Sequence, residues 1–218
     1  MTELPDGWRI AQLGEVADTT LGKMLDRGHS RGLPTVPYLR NVNVQWGRID
    51  THDLLDMELA DGDRERFAVQ PGDLLVCEGG EIGRAAIWHG RTEYLAFQKA
   101  LHRIRSRGNL NLSYLRYLLE LYHDDGTLER FATGSTIAHL PQQKLRVLPV
   151  PLPPLEEQRQ IVDILEYHLS RLDAAQAYLR SAIAKTDAMQ RGVLQSAIRD
   201  LGPKAATLID QLNTNLTA

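Results

Sequence analysis

Cysteine is nearly absent: Cys77 is the one thiol in 218 residues. An internal disulfide and a cysteine-cluster metal site are therefore excluded. Long apolar runs are missing too, since none approaches the roughly 18–20 residues that a membrane span needs, and the residues after Met1 lack a signal-peptide pattern. A cytoplasmic protein with no membrane partner is the expectation. Charge of one sign is also lacking: 25 Lys and Arg face 28 Asp and Glu, a net charge of −3. The total announces no nucleic acid, although local patches rather than the sum attract phosphate. Catalytic spacings are missing as well. The seven His stand singly, with no HxxxH or HExxH pair. Asp73, Glu78 and Glu81 have no lysine at the spacing of a nuclease metal site, and the glycines around Glu81 fit neither a Walker loop nor a dinucleotide fingerprint. Cys77 lies in an apolar run, the setting of an inert buried thiol. These absences predict a chain without catalytic residues, metal or cofactor.

What is present is a heptad. Val162, Leu169, Gln176, Ile183 and Gln190 fall at one core position, and Leu165, Leu172, Leu179, Thr186 and Val193 at the other. A continuous helix from Pro154 to about Arg199 would be on the order of 65–70 Å long. Its apolar stripe is too long to be covered by one small domain, so the pattern predicts a partner helix, with Gln176 and Gln190 weakening the seam but fixing its register. Pro149, Pro151, Pro153 and Pro154 exclude helix before it, and Glu156 and Glu157 suit the positive end of its dipole. Gly202-Pro203 marks the expected end. The predicted division is 1–153 for the body, 154–200 for the helix and 201–218 for a tail with at most a short helix.

The body reads as α+β. Tyr38–Gln45 alternates apolar with polar, a strand that would turn Arg40 or Asn41, Asn43 and Gln45 outward. Leu74–Cys77 reads as a buried strand after a tight turn at Val69–Asp73, and Ala85–Trp88 as a further strand. Leu112–Tyr122 carries an amphipathic stripe, with Ser113 or Asn111 as its cap. Charge is segregated: 50–65 holds seven acids against Arg64, whereas 84–107 holds six Lys or Arg against Glu93. The acidic stretch reads as solvated surface and the basic one as a surface aimed at an anion.

Several segments together resemble the specificity subunit of type I restriction–modification systems. They are Leu4-Pro5-Asp6-Gly7-Trp8 with Leu13-Gly14-Glu15-Val16, Tyr38-Leu39-Arg40-Asn41-Val42-Asn43, Gly72-Asp73-Leu74-Leu75, and Gly134-Ser135-Thr136 with His139-Leu140. The most specific is the exit, running from Leu148-Pro149-Val150-Pro151 through Pro153-Pro154-Leu155-Glu156-Glu157-Gln158 to Ile161-Val162. The resemblance implies a strand-rich target recognition domain followed by a long coiled-coil spacer helix, in a subunit without chemistry of its own. It also implies double-stranded DNA, methyltransferase subunits and nuclease/translocase subunits as partners. Family members usually carry two such halves, and this chain carries one. It is either a natural half that pairs with itself or an excised half. The seam favours self-pairing, which would make the target an inverted, bipartite repeat. No Asn-Pro-Pro-Tyr or Asp-Pro-Pro-Tyr element and no S-adenosylmethionine glycine loop occurs, so methylation and cleavage would belong to other subunits.

On the DNA reading, Lys23, Arg27 and Arg31 of the 22–37 loop and Arg84, Lys99, Arg103 and Arg105 would serve phosphate, while Asn43, Gln45 and Gln98, with Arg27 or Arg31, would read base edges, and Arg40 would be a further DNA contact. Ser135, Thr136 and His139 would touch phosphate or pin the domain to the helix. Any one of these side chains also fits an ordinary polar surface. The competing expectation for the whole chain is a coiled-coil scaffold that binds protein only.

Overall fold

The computed structural model describes residues 4–25, 32–90, 94–134 and 138–216, with side chains omitted at most positions beyond 197. The chain divides into two compact units, Met1–Asp163 and Ile164–Ala218. In the first, a four-stranded antiparallel sheet is ordered β2 (Ala17–Leu21), β10 (Leu101–Ser106), β7 (Leu74–Cys77), β8 (Ala85–Ile87). A second sheet is ordered β6 (Leu55–Glu58), β3 (Thr35–Leu39), β9 (Ala96–Phe97), with β3 and β9 parallel. The hairpin β4 (Val44–Gln45)–β5 (Arg48–Ile49) and the ribbon β1 (Arg9–Gln12)–β11 (Pro149–Leu152) complete the strands. The helices of this unit are α1 (Leu13–Val16), α2 (Arg64–Phe67), α3 (Leu112–Asp124) and α4 (Gln142–Arg146), together with the opening turns of α5 (Leu155–Leu216).

The four-stranded sheet has a core on each face, which is why Leu74–Cys77 is apolar without alternation. Leu74 and Val76 pack with Leu115 and Leu119 of α3, whereas Leu75 and Cys77 pack with Leu39 and Phe97 of the second sheet. Strand β10 alternates in the same way, sending Ile104 to one core and Leu101 to the other. Helix α3 starts at the cap Asn111, whose Oδ1 accepts from the amides of Ser113 and Tyr114.

The proline-rich exit is held from both sides. Proline cannot donate, so the carbonyls of β11 do the bonding: Tyr114 and Tyr122 of α3 donate their hydroxyls to Pro151 and Pro149. Beyond it, Trp8 Nε1 donates to Glu157 at 3.0 Å. Gln158 is fully buried: its Oε1 accepts from the Asn111 amide, and its Nε2 donates to the carbonyls of Asn109 and Pro153. This side chain ties the start of α5 to the start of α3.

Three expectations change. Tyr38–Gln45 is not one strand: β3 stops at Leu39, a 3-10 turn occupies Asn41–Asn43, and a two-residue strand follows. The cause is Asn43, whose side chain accepts from the Arg40 amide and donates to the carbonyls of Asp50 and Asp53, closing a loop that competes with strand. Val162 is no seam residue but part of the body's core, 6% exposed. The opening turns of α5 thus belong to the first unit rather than to an arm beginning at 154. Finally, α5 does not end at Gly202-Pro203 but continues to Leu216. A proline inside a helix removes one hydrogen bond and leaves the flanking turns able to form.

In the second unit the other apolar seam residues lie open, from 36% exposed at Leu165 and 42% at Leu169 to 61% at Ile183 and Val193. Leu172 and Leu179 are exposed as well, and so are Gln176, Thr186 and Gln190. Among the described residues no helix is long and apolar enough to cross a membrane.

Candidate nucleic-acid interface

At one end of the two sheets the backbone forms a continuous hydrogen-bonded floor. Lys23 donates its amide to the Phe97 carbonyl and receives the Lys99 amide. Next to it, the Glu78 amide bonds the Ala100 carbonyl, and the Leu140 amide bonds the Glu78 carbonyl. Thr133 and His139 exchange both backbone bonds at 2.8 Å. Two glycines permit this closeness: a Cβ at Gly22 would lie 2.1 Å from the Gln98 carbonyl oxygen, and one at Gly79 would lie 2.8 Å from His139 Nδ1.

Over this floor opens a cleft of about 560 Å³, lined by Lys23, Gln98, Lys99 and His139 with Glu78, Thr133 and three less polar neighbours. Four residues singled out from the sequence, drawn from three separate segments, thus meet in one concavity. Burial raises the carboxyl of Glu78 above the usual range, against the pull of Lys99 and His139. Beneath the wall, His102 is fully buried, and its Nε2 lies 2.8 Å from the Leu140 carbonyl oxygen. Burial pushes its imidazole down to about 4, the Leu140 bond opposing.

The other candidates are placed differently. Arg103 is not an outward phosphate ligand. It is buried, donates to the Ala68 carbonyl, and stacks its guanidinium 5.4 Å from the Phe97 ring. Its alternation along β10 aims it into the second core, where a guanidinium finds a carbonyl and an aromatic face. Asn43 is 2% exposed, so its amide is unavailable to a base. Arg105 clasps Asp73 with two bonds of 2.6 and 2.9 Å. Arg40 pairs with Asp53 at 2.6 Å, and Lys23 with Asp63. The acidic 50–65 stretch is thus more than solvated surface, because two of its carboxylates fold onto candidate cations. Arg84 bonds Glu81 at 2.9 Å, and Glu81 also accepts from the Trp46 indole, which holds its carboxyl below the usual range. Gln45 donates to the Val42 carbonyl. Arg27, Arg31, Ser135 and Thr136 lie outside the described residues.

Sequence reasoning passed over Glu78 as one member of an incomplete acidic set. The available signal was its place at the end of a buried strand, one residue before a glycine turn. No group of three or more potential metal-ligating side chains occurs among the described residues.

The family model described as type I restriction modification DNA specificity domain matches residues 5–179. A protein described as the type I restriction enzyme MjaX specificity subunit of Methanocaldococcus jannaschii is 27% identical over 169 residues, covering 75% of this chain and 40% of that protein. The StySPI specificity subunit of Salmonella potsdam is 21% identical over 204 residues, 90% of this chain and 43% of its own length. Among solved structures, the HsdS subunit from Thermoanaerobacter tengcongensis superposes with a TM-score of 0.60 at 23% identity, over 79% of this chain and 40% of that one. A chain from a structure addressing complex assembly and conformational transition of a type I R-M system gives 0.63 at 23% identity, covering 84% and 44%. These structural likenesses speak for the fold. The chain spans less than half the length of the curated relatives it matches.

Proposed function

The chain belongs to the type I restriction modification DNA specificity domain family, and on that basis we propose that its first unit reads duplex DNA through the cleft that joins Lys23, Gln98, Lys99 and His139. The observation that carries this reading is their convergence from separate segments onto one hydrogen-bonded floor. Lys99, which makes no ion pair among the described residues, neutralises phosphate there, whereas Lys23 does so only by leaving Asp63. The Gln98 amide offers the donor–acceptor pair that matches adenine N7 and N6. The chain itself carries out no chemistry: it positions methyltransferase subunits, and nuclease/translocase subunits through them, on the DNA it has chosen.

The exposed apolar residues of the second unit support self-association. Two copies joined along Leu165, Leu169, Leu172, Leu179 and Ile183 carry two identical reading heads, so the target is an inverted, bipartite repeat.

Fluorescence anisotropy with duplex DNA, on the chain alone and with its methyltransferase subunit, tests this reading. Binding that weakens steeply from low to moderate salt is expected, together with co-purification of that subunit. A chain that ignores DNA under both conditions and binds only protein would be a scaffold instead.

A further inference from the structure

The cleft holds one group that a phosphate-binding surface has no use for. Glu78 stands among Lys23, Lys99 and His139 on the wall where DNA is proposed to lie, and a carboxylate there repels every phosphate that approaches. Three other acids of this unit have donors: Asp63 in Lys23, Asp73 in Arg105 and the Gln70 amide, Glu81 in Arg84 and Trp46. Glu78 differs. Its carboxylate feels Lys99 and His139 only through space, and no side chain among the described residues hydrogen-bonds to it. Its backbone is pinned on both sides, amide to Ala100 and carbonyl to Leu140, so the side chain leaves a fixed point on the floor. A partly exposed carboxylate on a pinned backbone, with no protein donor among the described residues, is open to a donor that arrives with the ligand.

Resting on the DNA-reading proposal above, we infer that Glu78 is a specificity-determining residue whose carboxylate accepts a hydrogen bond from the exocyclic amino group of a cytosine or adenine in the bound duplex. In the major groove those amines are the donors that bases present, N4 of cytosine and N6 of adenine. Phosphates offer none, and guanine and thymine present acceptors there, which a carboxylate repels. Glu78 thus works in two ways: it rewards one base and penalises any approach that puts phosphate or a carbonyl edge in its place. Lys99 and His139 beside it restore the attraction for the backbone.

The test is selection from a randomised duplex pool, with the chain bound to its methyltransferase subunit, comparing wild type with Glu78→Gln and Glu78→Ala. In the wild type one position specifies cytosine or adenine by about tenfold or more. Glu78→Ala loses that preference while the other positions stand, and Glu78→Gln, whose amide pairs with adenine N6 and N7, selects adenine there. Both bind random duplex several-fold more tightly at equal salt because a negative charge has gone. Duplexes carrying pyrimidin-2-one for the cytosine, or purine for the adenine, distinguish the two sources. Only the analogue of the base actually read lowers wild-type affinity, and it does nothing to Glu78→Ala. A melting temperature unchanged in Glu78→Gln separates this role from a structural one. A full consensus retained by both variants would overturn the assignment while leaving the DNA-reading proposal intact. Loss of co-purification with the methyltransferase subunit and unchanged DNA preference would overturn it in favour of a protein contact. A wild-type complex that selects no duplex would sink both proposals together.

Discussion

Two stretches of the same helix treat the same pattern in opposite ways. In Leu155–Asp163 the inward-facing residues are spoken for: Gln158 is fully buried with all of its amide used, and Val162 joins the core. From 164 onward the apolar positions of the repeat are open, with Leu172, Leu179 and Ile183 each more than half exposed. Sequence periodicity is the same in both, so periodicity says that a face will be covered but not by what. The first stretch finds its cover within its own unit. The second leaves roughly 25 cal/mol per Å² of apolar surface unclaimed, which a second copy of the helix would recover.

The strongest way to break this comparison is to place charge on the open stretch. Leu172→Asp with Leu179→Asp buries four carboxylates in any self-paired seam, and association should weaken by at least about a hundredfold. Light scattering after gel filtration checks this, with the mass falling to that of one chain. The body should melt as before, because neither side chain takes part in its core. A wild-type protein that already runs as one chain at high concentration would remove the premise.

On the closed stretch, Gln158→Leu keeps volume but leaves the Asn111 amide and the carbonyls of Asn109 and Pro153 without their partner. The Pro153 carbonyl is buried and the other two groups are partly open to water, so the loss is about 2 kcal/mol, or roughly 4–8 °C in Tm for a domain of this size. Thermal unfolding followed by circular dichroism reads it. The two variants should be mirror images, one changing mass and sparing stability, the other the reverse.

His102 sharpens the same contrast with pH. Its folded value of about 4 lies below the ordinary 6.5, so the unfolded chain takes the proton first. Stability from the neutral imidazole is complete above about pH 6.5 and is lost as pH falls toward 4. Between pH 7 and 4.5 the loss is about 2–3 kcal/mol by urea titration, and His102→Gln should lack that share of the decline. The cost lies in burying the imidazolium, while its Nε2–H bond to the Leu140 carbonyl survives protonation. Acid should therefore open the segment around His102 beneath the cleft wall before the β1–β11 ribbon, which amide exchange would register.

What the sequence made legible follows the range of the interactions. Leu74–Cys77, the Asn111 cap and the entry of α5 are signalled by residues close by in the chain, an apolar run, a capping amide and a proline pair, even though remote contacts then hold them. Asn43 and Arg103 defeated the same reasoning because their partners are remote or turned away from the expected strand. Arg103 meets Ala68 and Phe97, and nothing in its own segment of alternating Arg and apolar residues announces them. Polar alternation reports which side a residue faces but not whether that side is water. The cleft was visible as scattered cations and amides. Its assembly depended on the parallel β3–β9 pair and the Lys23–Gln98 bridge, long-range pairings that no local pattern encodes. The acidic stretch misled for a related reason: charge counted along the chain ignores Asp53 and Asp63 folding onto Arg40 and Lys23.

The smallest effect separates a cation that the fold has used from one it has left open. Lys99 is exposed, lines the cleft and makes no ion pair among the described residues, whereas Arg105 is clasped by Asp73. If both counted equally toward DNA, as the sequence suggested, removing either would lower the salt dependence of binding alike. The structure argues otherwise. Lys99→Ala should reduce the slope of log affinity against log salt by about 1, the release of one condensed counterion, with affinity falling several-fold at physiological salt. Arg105→Ala should leave the slope unchanged and instead lower the Tm, because it strips Asp73 of a two-bonded partner in a buried setting. Anisotropy titrations at four or five salt concentrations suffice to distinguish the two. Equal slope changes would mean that the Arg105–Asp73 clasp opens when DNA arrives, and that the cleft is wider in use than at rest.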